Sequence, residues 1–474
     1  MSGEWEMVIG LEVHCELRTE TKLFCSCRNA FGDEPNTNVC PVCLGLPGSL
    51  PVLNRQAVEY AMRIGEALHC EIKPSIFHRK NYFYPDMPKD YQTSQYDEPI
   101  NVDGWLELPS GQRVGVERAH MEEDTGKTTH IGGGGGRIHG ADHSLVDYNR
   151  AGVPLVEIVS RPDLRSSEEA KAYVSELRAI LVATGASDGK MEEGSLRVDA
   201  NVSVRPANQA TFGTRCEIKN MNSLRSLGRA IEYEAKRQIQ LLEDGERIVQ
   251  ETRHWSEDEG RTSSMRSKEE AFDYRYFPEP DLVPVVPSDE WRASVKAALP
   301  PMPFERRTAL AAAAGVTPGD VALLVELDLD SLVIDAIAAG AAPRTAINRA
   351  ANEIAADISN AGRLTPASFA HLVTMESSGK LTATQAKAVL GAMLAGEGDN
   401  PEAIASARGF EAMDASALEA AVDAVIAEHA QIFENFKGGD NKAAGPLVGA
   451  VMKKTQGKAD GKAVTAILRA RAGL

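Results

Sequence analysis

The stretch VIGLEVHCEL, residues 8–17, alternates in polarity along its length. Ile9, Leu11, Val13, Cys15 and Leu17 fall on one side of an extended chain, while Gly10, Glu12, His14 and Glu16 fall on the other. Successive side chains of a strand point to opposite faces, so a period of two predicts a half-buried β-strand. Its apolar side belongs to a core. Its polar side sets carboxylates around an imidazole, which reads either as a wet surface or as the cation-binding floor of a pocket. LRVDANVSVR (196–205) repeats the logic, with Leu196, Val198, Ala200, Val202 and Val204 opposed to Arg197, Asp199, Asn201, Ser203 and Arg205. RCEIKN (215–220) and VPLVEIVS (153–160) are further strands. Together they describe a sheet with one apolar face and one face dense in Glu, Asp, His, Asn and Arg.

Three helices interrupt these strands. One begins near Asn54. A second runs from Ser166 to Thr184, with Ser166 and Glu169 at capping-box spacing and Gly185 as a stop. The third covers 222–243. Strands and helices do not alternate regularly, so the fold class is α+β rather than a doubly wound sheet. Residues 278–303 hold seven prolines, either a domain linker or an extended segment wrapped on the sheet. Beyond them the chain turns Ala-rich and helical. Thr317-Pro318 and Thr365-Pro366 have the form of an N-cap followed by proline at the first helical position. GEGDN at 396–400 breaks this region before a last helical domain, whose first helix carries Leu418, Val422, Val425, Ile432 and Phe433. The boundaries read as 1–290, 291–400 and 401–474. The pentaglycine in IGGGGGRIHG (131–140) lacks phosphate-loop spacing and reads as a surface insertion.

A net charge of −17 over 474 residues argues against a general nucleic-acid binder. The stretch from Lys437 to the end nevertheless carries eight Lys or Arg against two acids, Asp440 and Asp460, a local +6. That is either a solvated helical tail or a phosphate-facing surface. No run of about 18 apolar residues suggests a membrane span, and the first residues do not resemble a signal peptide, so a cytoplasmic location is expected. Cys15, Cys70 and Cys216 lie in apolar settings and read as core. Cys25, Cys27, Cys40 and Cys43 form two close pairs twelve residues apart, suited to a closed, structural four-thiolate zinc site.

Three other stretches carry chemistry. HRKNYFYPD (78–86) places Arg79 and Lys80 beside aromatics, which can hold phosphate and stack a base, or pack into the core. RAHMEEDTGK (118–127) bunches His120, Glu122, Glu123 and Asp124. In regular register His120 and Glu122 share a face and Glu123 takes the other. Glu157 is the one charge in VPLVEIVS, and a carboxylate inside an apolar strand is costly unless paired or metal-bound. Carboxylates and a histidine for Mg²⁺, with Arg and Lys for phosphate oxygens, describe phosphoryl transfer from a nucleotide.

VIGLEVHCEL, RKNYFYPD, HMEEDTGK, SLVDYNR, PLVEIVS, KMEEGSLRVDANVSVR, EIKNMNS and DYRYFPEPDLVP, in this order, resemble the GatB/GatE family, the B subunits of bacterial aspartyl/glutamyl-tRNA(Asn/Gln) amidotransferases. The resemblance spans essentially the whole chain. It implies a cradle with a largely antiparallel sheet related to glutamine synthetase and guanido kinases, an all-α helical domain, and a small all-α YqeY-like tail. It implies ATP-dependent activation of the side-chain carboxylate of misacylated Glu-tRNA(Gln) or Asp-tRNA(Asn). Ammonia would come from the glutaminase, or A, component of the amidotransferase, and the C component would be a third partner. Residue by residue, the metal pocket maps to Glu12, His14, Glu123 and Glu157. Lys80 and Asn81 match a pocket stretch, Glu122 and Asp124 are neighbours, and Arg197 joins Lys80 as a candidate for phosphate charge. Glu16 is left as an ordinary wet-face residue. Lys453, Lys454, Lys458 and Lys462 become candidate tRNA phosphate contacts. Two competing classes remain, a non-catalytic tRNA-docking module and a ligase for a small molecule.

Overall fold

The computed structural model describes residues 5–132, 140–267, 274–410, 415–438, 441–455, 459 and 461–473. The pentaglycine stretch from 133 on lies outside them. The chain divides into two units, Met1–Phe304 and Glu305–Leu474.

The opening stretch is the middle of strand β1 (Trp5–Glu16), and its alternation is kept: Ile9, Leu11, Val13 and Cys15 are at most 1% exposed. The other strands of the first unit are β2 (Glu71–Ile72), β3 (His78–Asn81), β4 (Tyr91–Ser94), β5 (Asn101–Glu107), β6 (Arg113–Glu123), β7 (Lys127–Ile131), β8 (His143–Asp147), β9 (Pro154–Ser160), β10 (Leu196–Pro206), β11 (Cys216–Met221), β12 (Glu251–Ser256), β13 (Arg261–Ser267) and β14 (Phe277–Pro278). Twelve form one sheet in the order β13-β12-β11-β10-β1-β9-β6-β4-β3-β14, with β5 on β6 and β2 on β5, while β7 and β8 pair separately. Only β11 and β12 run parallel among the described pairs. This is the mixed, mostly antiparallel sheet expected of an α+β chain.

Helices α1 (Arg55–Ala67), α2 (Ser167–Ala183) and α3 (Leu224–Glu243) cover one face, and the first unit's core lies between them and the sheet. Their starts follow local chemistry: Asn54, Ser166 and Ser223 each accept a hydrogen bond from a backbone N–H of the first turn. The capping box expected at Ser166 is displaced by one residue, because Glu169 accepts from the Arg165 N–H at 2.7 Å. The opposite face of the sheet, carrying Glu12, His14 and Glu157, receives no helix from this set.

The proline-rich segment is wrapped rather than free. Phe277–Pro278 pairs with β3 and Val285 bridges to Ser75. Helix α4 (Asp289–Ala297) then packs on α1, with the Arg55 guanidinium 4.2 Å from the Trp291 ring centroid. The first unit therefore runs on to 304, past the boundary read at 290, because Val295 and Met302 belong to its core.

The second unit is helical throughout its described residues, with one apolar core among residues 310–405 and another among 418–472. Thr365 caps its helix with Pro366 at the first position, as the sequence predicts. Thr317-Pro318 instead opens a single 3₁₀ turn. Gly396 ends a helix at φ +85°, where glycine avoids the clash that a Cβ would make. The last apolar stripe is split between Ala415–Glu428 and Ala430–Lys437. No single described helix is long and apolar enough to cross a membrane.

The two faces of β1 should respond oppositely to substitution. Leu11→Ala removes a fully buried side chain and should cost about 2–5 kcal/mol in urea unfolding. Glu12→Gln removes a desolvated charge without changing shape and should leave the midpoint unchanged or higher. The reverse order would contradict this assignment of faces.

Candidate active site and thiolate cluster

Register across four strands builds the site. His14 of β1 lies opposite Glu157 of β9 and Arg197 of β10, and Glu157 lies opposite His120 of β6. The result is a transverse row, His120–Glu157–His14–Arg197, on the polar face. Glu157 Oε2 lies 3.6 Å from His14 Nε2 and 3.7 Å from His120 Nε2. Two residues along β6, Glu122 Oε1 lies 3.2 Å from His120 Nε2 and accepts from Ser94 Oγ at 2.7 Å, while Gln92 Nε2 donates to Glu122 Oε2 at 3.1 Å.

These partners decide the charges. Burial opposes ionisation of Glu157, but the hydrogen bond from His14 and the charges of His120, His14 and Lys80 outweigh it and hold the carboxyl below the usual range. Burial likewise opposes the ionised form of Glu122, and the bond to His120 reverses the balance. His14 is raised, its burial offset by Glu157 and then by Asp199 and Glu122. One ligand atom each from His14, Glu122 and Glu157 lies within 4.8 Å of the others, so these three could hold a metal ion.

A cavity of about 390 Å³ opens over the row. Lys80 lines it, with its Nζ 5.0 Å from the Tyr274 ring centroid and no carboxylate within salt-bridge distance among the described residues. Arg197 also lines it, but Asp124 holds the guanidinium at 2.6 Å. Lys219 lies in the same wall, 2.5 Å from Asp199 and 2.9 Å from Glu217.

Several expected residues sit elsewhere. Glu123, mapped by resemblance to the metal pocket, takes the other face of β6, as strand parity requires. It accepts from the Thr93 N–H at 2.8 Å and pairs with Lys89 Nζ at 2.5 Å. Glu12 is one row along, accepting from Asn201 Nδ2 at 2.9 Å, and burial together with Glu157 raises its pKa. Asn81 is a brace, its Nδ2 donating to the Tyr274 and Arg275 carbonyls. Glu16, read as a wet-face residue, is half-buried, and burial first, then Asp124, pushes its carboxyl up to about 8. His120 was legible from its parity with Glu122. Lys219 was legible as a polar-parity residue of β11 with Arg215 and Glu217, whereas Gln92 and Tyr274 carried no local signal. In the second unit, Lys453 is exposed and Lys454 pairs with Glu428. Lys458 and the side chain of Lys462 lie outside the described residues.

The four cysteines converge. The Lys22 N–H bonds to the Cys27 carbonyl and the Leu44 N–H to the Cys40 carbonyl, closing two turns that present the thiols to one another. The sulfurs of Cys25, Cys40 and Cys27 lie 3.6, 3.7 and 3.8 Å from Cys43 Sγ. Tetrahedral zinc with bonds of about 2.3 Å spaces its sulfurs by about 3.8 Å, so the set fits that ion. Lys22, 0% exposed, points its Nζ at Cys43 Sγ (3.5 Å) and donates to the Asn38 and Tyr148 carbonyls at 2.7 and 3.2 Å. Its charge offsets part of the negative charge that four thiolates would gather. Cys15 and Cys216 are fully buried in the core, as expected, and Cys70 is half-buried.

Residues 7–293 match the family described as GatB/GatE catalytic domain, and residues 332–471 match one described as GatB domain. The chain is similar to the B subunit of the aspartyl/glutamyl-tRNA(Asn/Gln) amidotransferase of Frankia casuarinae, at 55% identity over 100% of this chain and 96% of the relative. It is similar to the protein of the same name from Salinispora arenicola at 52%, covering 99% and 97%. The Thermobifida fusca protein of that name is 50% identical, covering 99% and 94%.

The thiolate geometry predicts one zinc per chain in freshly purified protein, measured by elemental analysis. Cys43→Ala should lose the metal and lower the melting midpoint. Metal-free protein with an unchanged midpoint would remove the assignment.

Proposed function

The chain belongs to the GatB/GatE family, and from that premise we propose that it is the tRNA-binding, carboxylate-activating subunit of a tRNA-dependent amidotransferase. The reaction would convert misacylated Glu-tRNA(Gln) or Asp-tRNA(Asn) to Gln-tRNA(Gln) or Asn-tRNA(Asn) at the expense of ATP. The observation that carries the reading is the His120–Glu157–His14 row with Glu122, beneath a polar cavity that Lys80 lines. The names of the relatives supply the substrate class and imply that further subunits exist. These would be the ammonia-supplying A component and the C component.

The chemistry divides into two displacements. A side-chain carboxylate oxygen of the aminoacyl group attacks the γ-phosphorus, the bond to the β,γ-bridging oxygen breaks, and ADP leaves. Ammonia nitrogen then attacks the acyl carbon, the carbon–oxygen bond to phosphate breaks, and a proton is lost as the amide forms. The substrate carboxylate is the nucleophile, so the protein need only position and stabilise charge. His14, Glu122 and Glu157 would hold Mg²⁺, with Glu12 close by. Mg²⁺ held there would supply neutralisation of phosphate charge. Lys80, without a carboxylate partner among the described residues, is the side chain best placed to take charge on the transferring group. Arg197 is engaged by Asp124 and serves first to orient that wall.

The four cysteines would hold a structural zinc, supported by their spacing and by Lys22. Zinc there supplies cross-linking of two turns. The kinship with glutamine synthetase and guanido kinases extends the same reading, supported by a polar sheet face opposite a helical layer.

A non-catalytic docking module is the competing reading, and one substitution separates the two. In the complex reconstituted with its partner proteins, ATP and glutamine, Glu157→Ala should cut amide formation at least about 10²-fold while tRNA affinity holds. Amide formed at the wild-type rate would reject the pocket. For the tail, Lys453→Ala should weaken tRNA binding and lower the salt slope by about one. An unchanged slope would place the tRNA body elsewhere.

A further inference from the structure

His120 belongs to the transverse row without facing the cavity. His14, Glu122 and Glu157 all line that cavity, and His120 does not. Its side chain is 0% exposed, against 22% for His14. It therefore stands behind the three groups that could hold a cation. Strand geometry puts it there: His120 is two residues before Glu122 on β6, so the two share a face, and it lies opposite Glu157 on β9.

The two carboxylates it meets repel each other, and the charge of Glu157 opposes that of Glu122. One imidazole nitrogen stands between them. His120 Nε2 lies 3.2 Å from Glu122 Oε1 and 3.7 Å from Glu157 Oε2. Ionised carboxylate oxygens only accept, so the nitrogen that faces them carries a proton and donates to Glu122. The other ring nitrogen, Nδ1, is buried with no hydrogen-bond partner among the described residues. The polar contacts of the ring are therefore made at Nε2. The ring plane is fixed from outside the row. Tyr96 meets it edge to face with centroids 6.0 Å apart, and Tyr96 is held in turn by the Arg118 guanidinium at 4.6 Å and the stacked Tyr276 ring at 5.4 Å.

Strand β4 completes the arrangement around Glu122. Ser94 Oγ donates to Oε1 at 2.7 Å, while Gln92 Nε2 donates to Oε2 at 3.1 Å and to the Glu123 carbonyl at 2.8 Å. Oε1 thus accepts twice, and Oε2 keeps a lone pair. Glu157 turns Oε2 to both imidazoles, and its Oε1 accepts no hydrogen bond among the described residues. Each carboxylate gives one oxygen to His120 and keeps the other for the cavity.

We infer that His120 is a positioning residue for the cation site: its Nε2–H holds Glu122 and Glu157 in place and turns one oxygen of each toward the ion, without ligating it. This rests on the cation reading given above and deepens it by naming the group that sets the spacing of the carboxylates.

Two amide substitutions separate this role from polarity alone. In His120→Gln the amide N–H falls near the place of Nε2. In His120→Asn, one methylene shorter, it falls near Nδ1 and cannot reach both carboxylates. The probe is Mn²⁺ added to the full chain, with binding followed by electron paramagnetic resonance. His120→Asn should raise the Mn²⁺ Kd by about 10- to 100-fold, as expected when a group that orients ligands is lost, while His120→Gln should stay within about threefold of wild type. Pulsed measurements of nitrogen coupling to bound Mn²⁺ should show an imidazole signal that is unchanged in both variants and abolished in His14→Gln. Wild-type affinity in His120→Asn overturns the inference. So does altered nitrogen coupling in His120→Gln, because His120 would then be a ligand. The Gln variant decides even where the Asn variant does not fold, since a loss beyond about threefold in it also overturns the inference. A wild-type chain that binds no Mn²⁺ rejects the cation site itself. A wild-type chain that binds it, beside an unaffected Asn variant, rejects the positioning role alone.

Discussion

The structure turns on one carboxylate that the fold both buries and keeps charged. Glu157 is 8% exposed in the middle of an apolar strand. An ion so placed survives only with partners on both sides, and antiparallel pairing supplies them: His14 from β1 and His120 from β6. Register is what makes this possible. A slip of one residue in β1 would turn His14 toward the helices and bring Val13 or Cys15 to the floor, exposing apolar surface and leaving Glu157 short of a donor. The apolar face of β1 therefore specifies the polar face, and the core that α1, α2 and α3 pack against is also what positions His14 and Glu157.

The same reasoning extends along the sheet. His14, Glu157 and Glu122 come from three strands distant in sequence, and their surroundings are built from still other segments: Gln92 and Ser94 of β4 hold Glu122, and Asp124 holds Arg197. The thiolate turns join this scheme through Lys22, whose ammonium spans Cys43 and the Tyr148 carbonyl, a few residues before β9 begins. A metal held by those turns would thereby also steady the start of the strand carrying Glu157, outside the chemistry.

What was legible in the sequence was whatever depends on local periodicity. Alternation revealed β1 and β10 with their faces, apolar stripes and the Ser166 cap placed α1, α2 and α3 close to their true starts, and two cysteine pairs announced a closed cluster. Glu157 stood out because a charge in an apolar strand is costly. What depends on pairing was hidden. Gln92 and Tyr274 reach the cavity through contacts between segments far apart in sequence, and Lys22 looks like any surface lysine until the Asn38 and Tyr148 carbonyls close around it. The wrap of 278–303 onto β3 and α1 was one of two open readings, since a proline-rich stretch has the same composition whether free or docked.

Glu122 and Glu123 show how parity and resemblance can disagree on neighbouring residues. Strand geometry allows only one of two adjacent side chains to face a given side, and His120 in the transverse row puts Glu122 on the cavity face. Glu123 is then committed to the opposite side, where Lys89 neutralises it in a separate pocket with Arg79 and Glu279. Matching by motif tolerates an offset of one position within an acidic run; a pleated strand does not, because that offset is a reversal of face. The pleat therefore groups His14, Glu122 and Glu157 on one face, where they could hold a metal ion, and leaves Glu12 one row along β1 against Asn201.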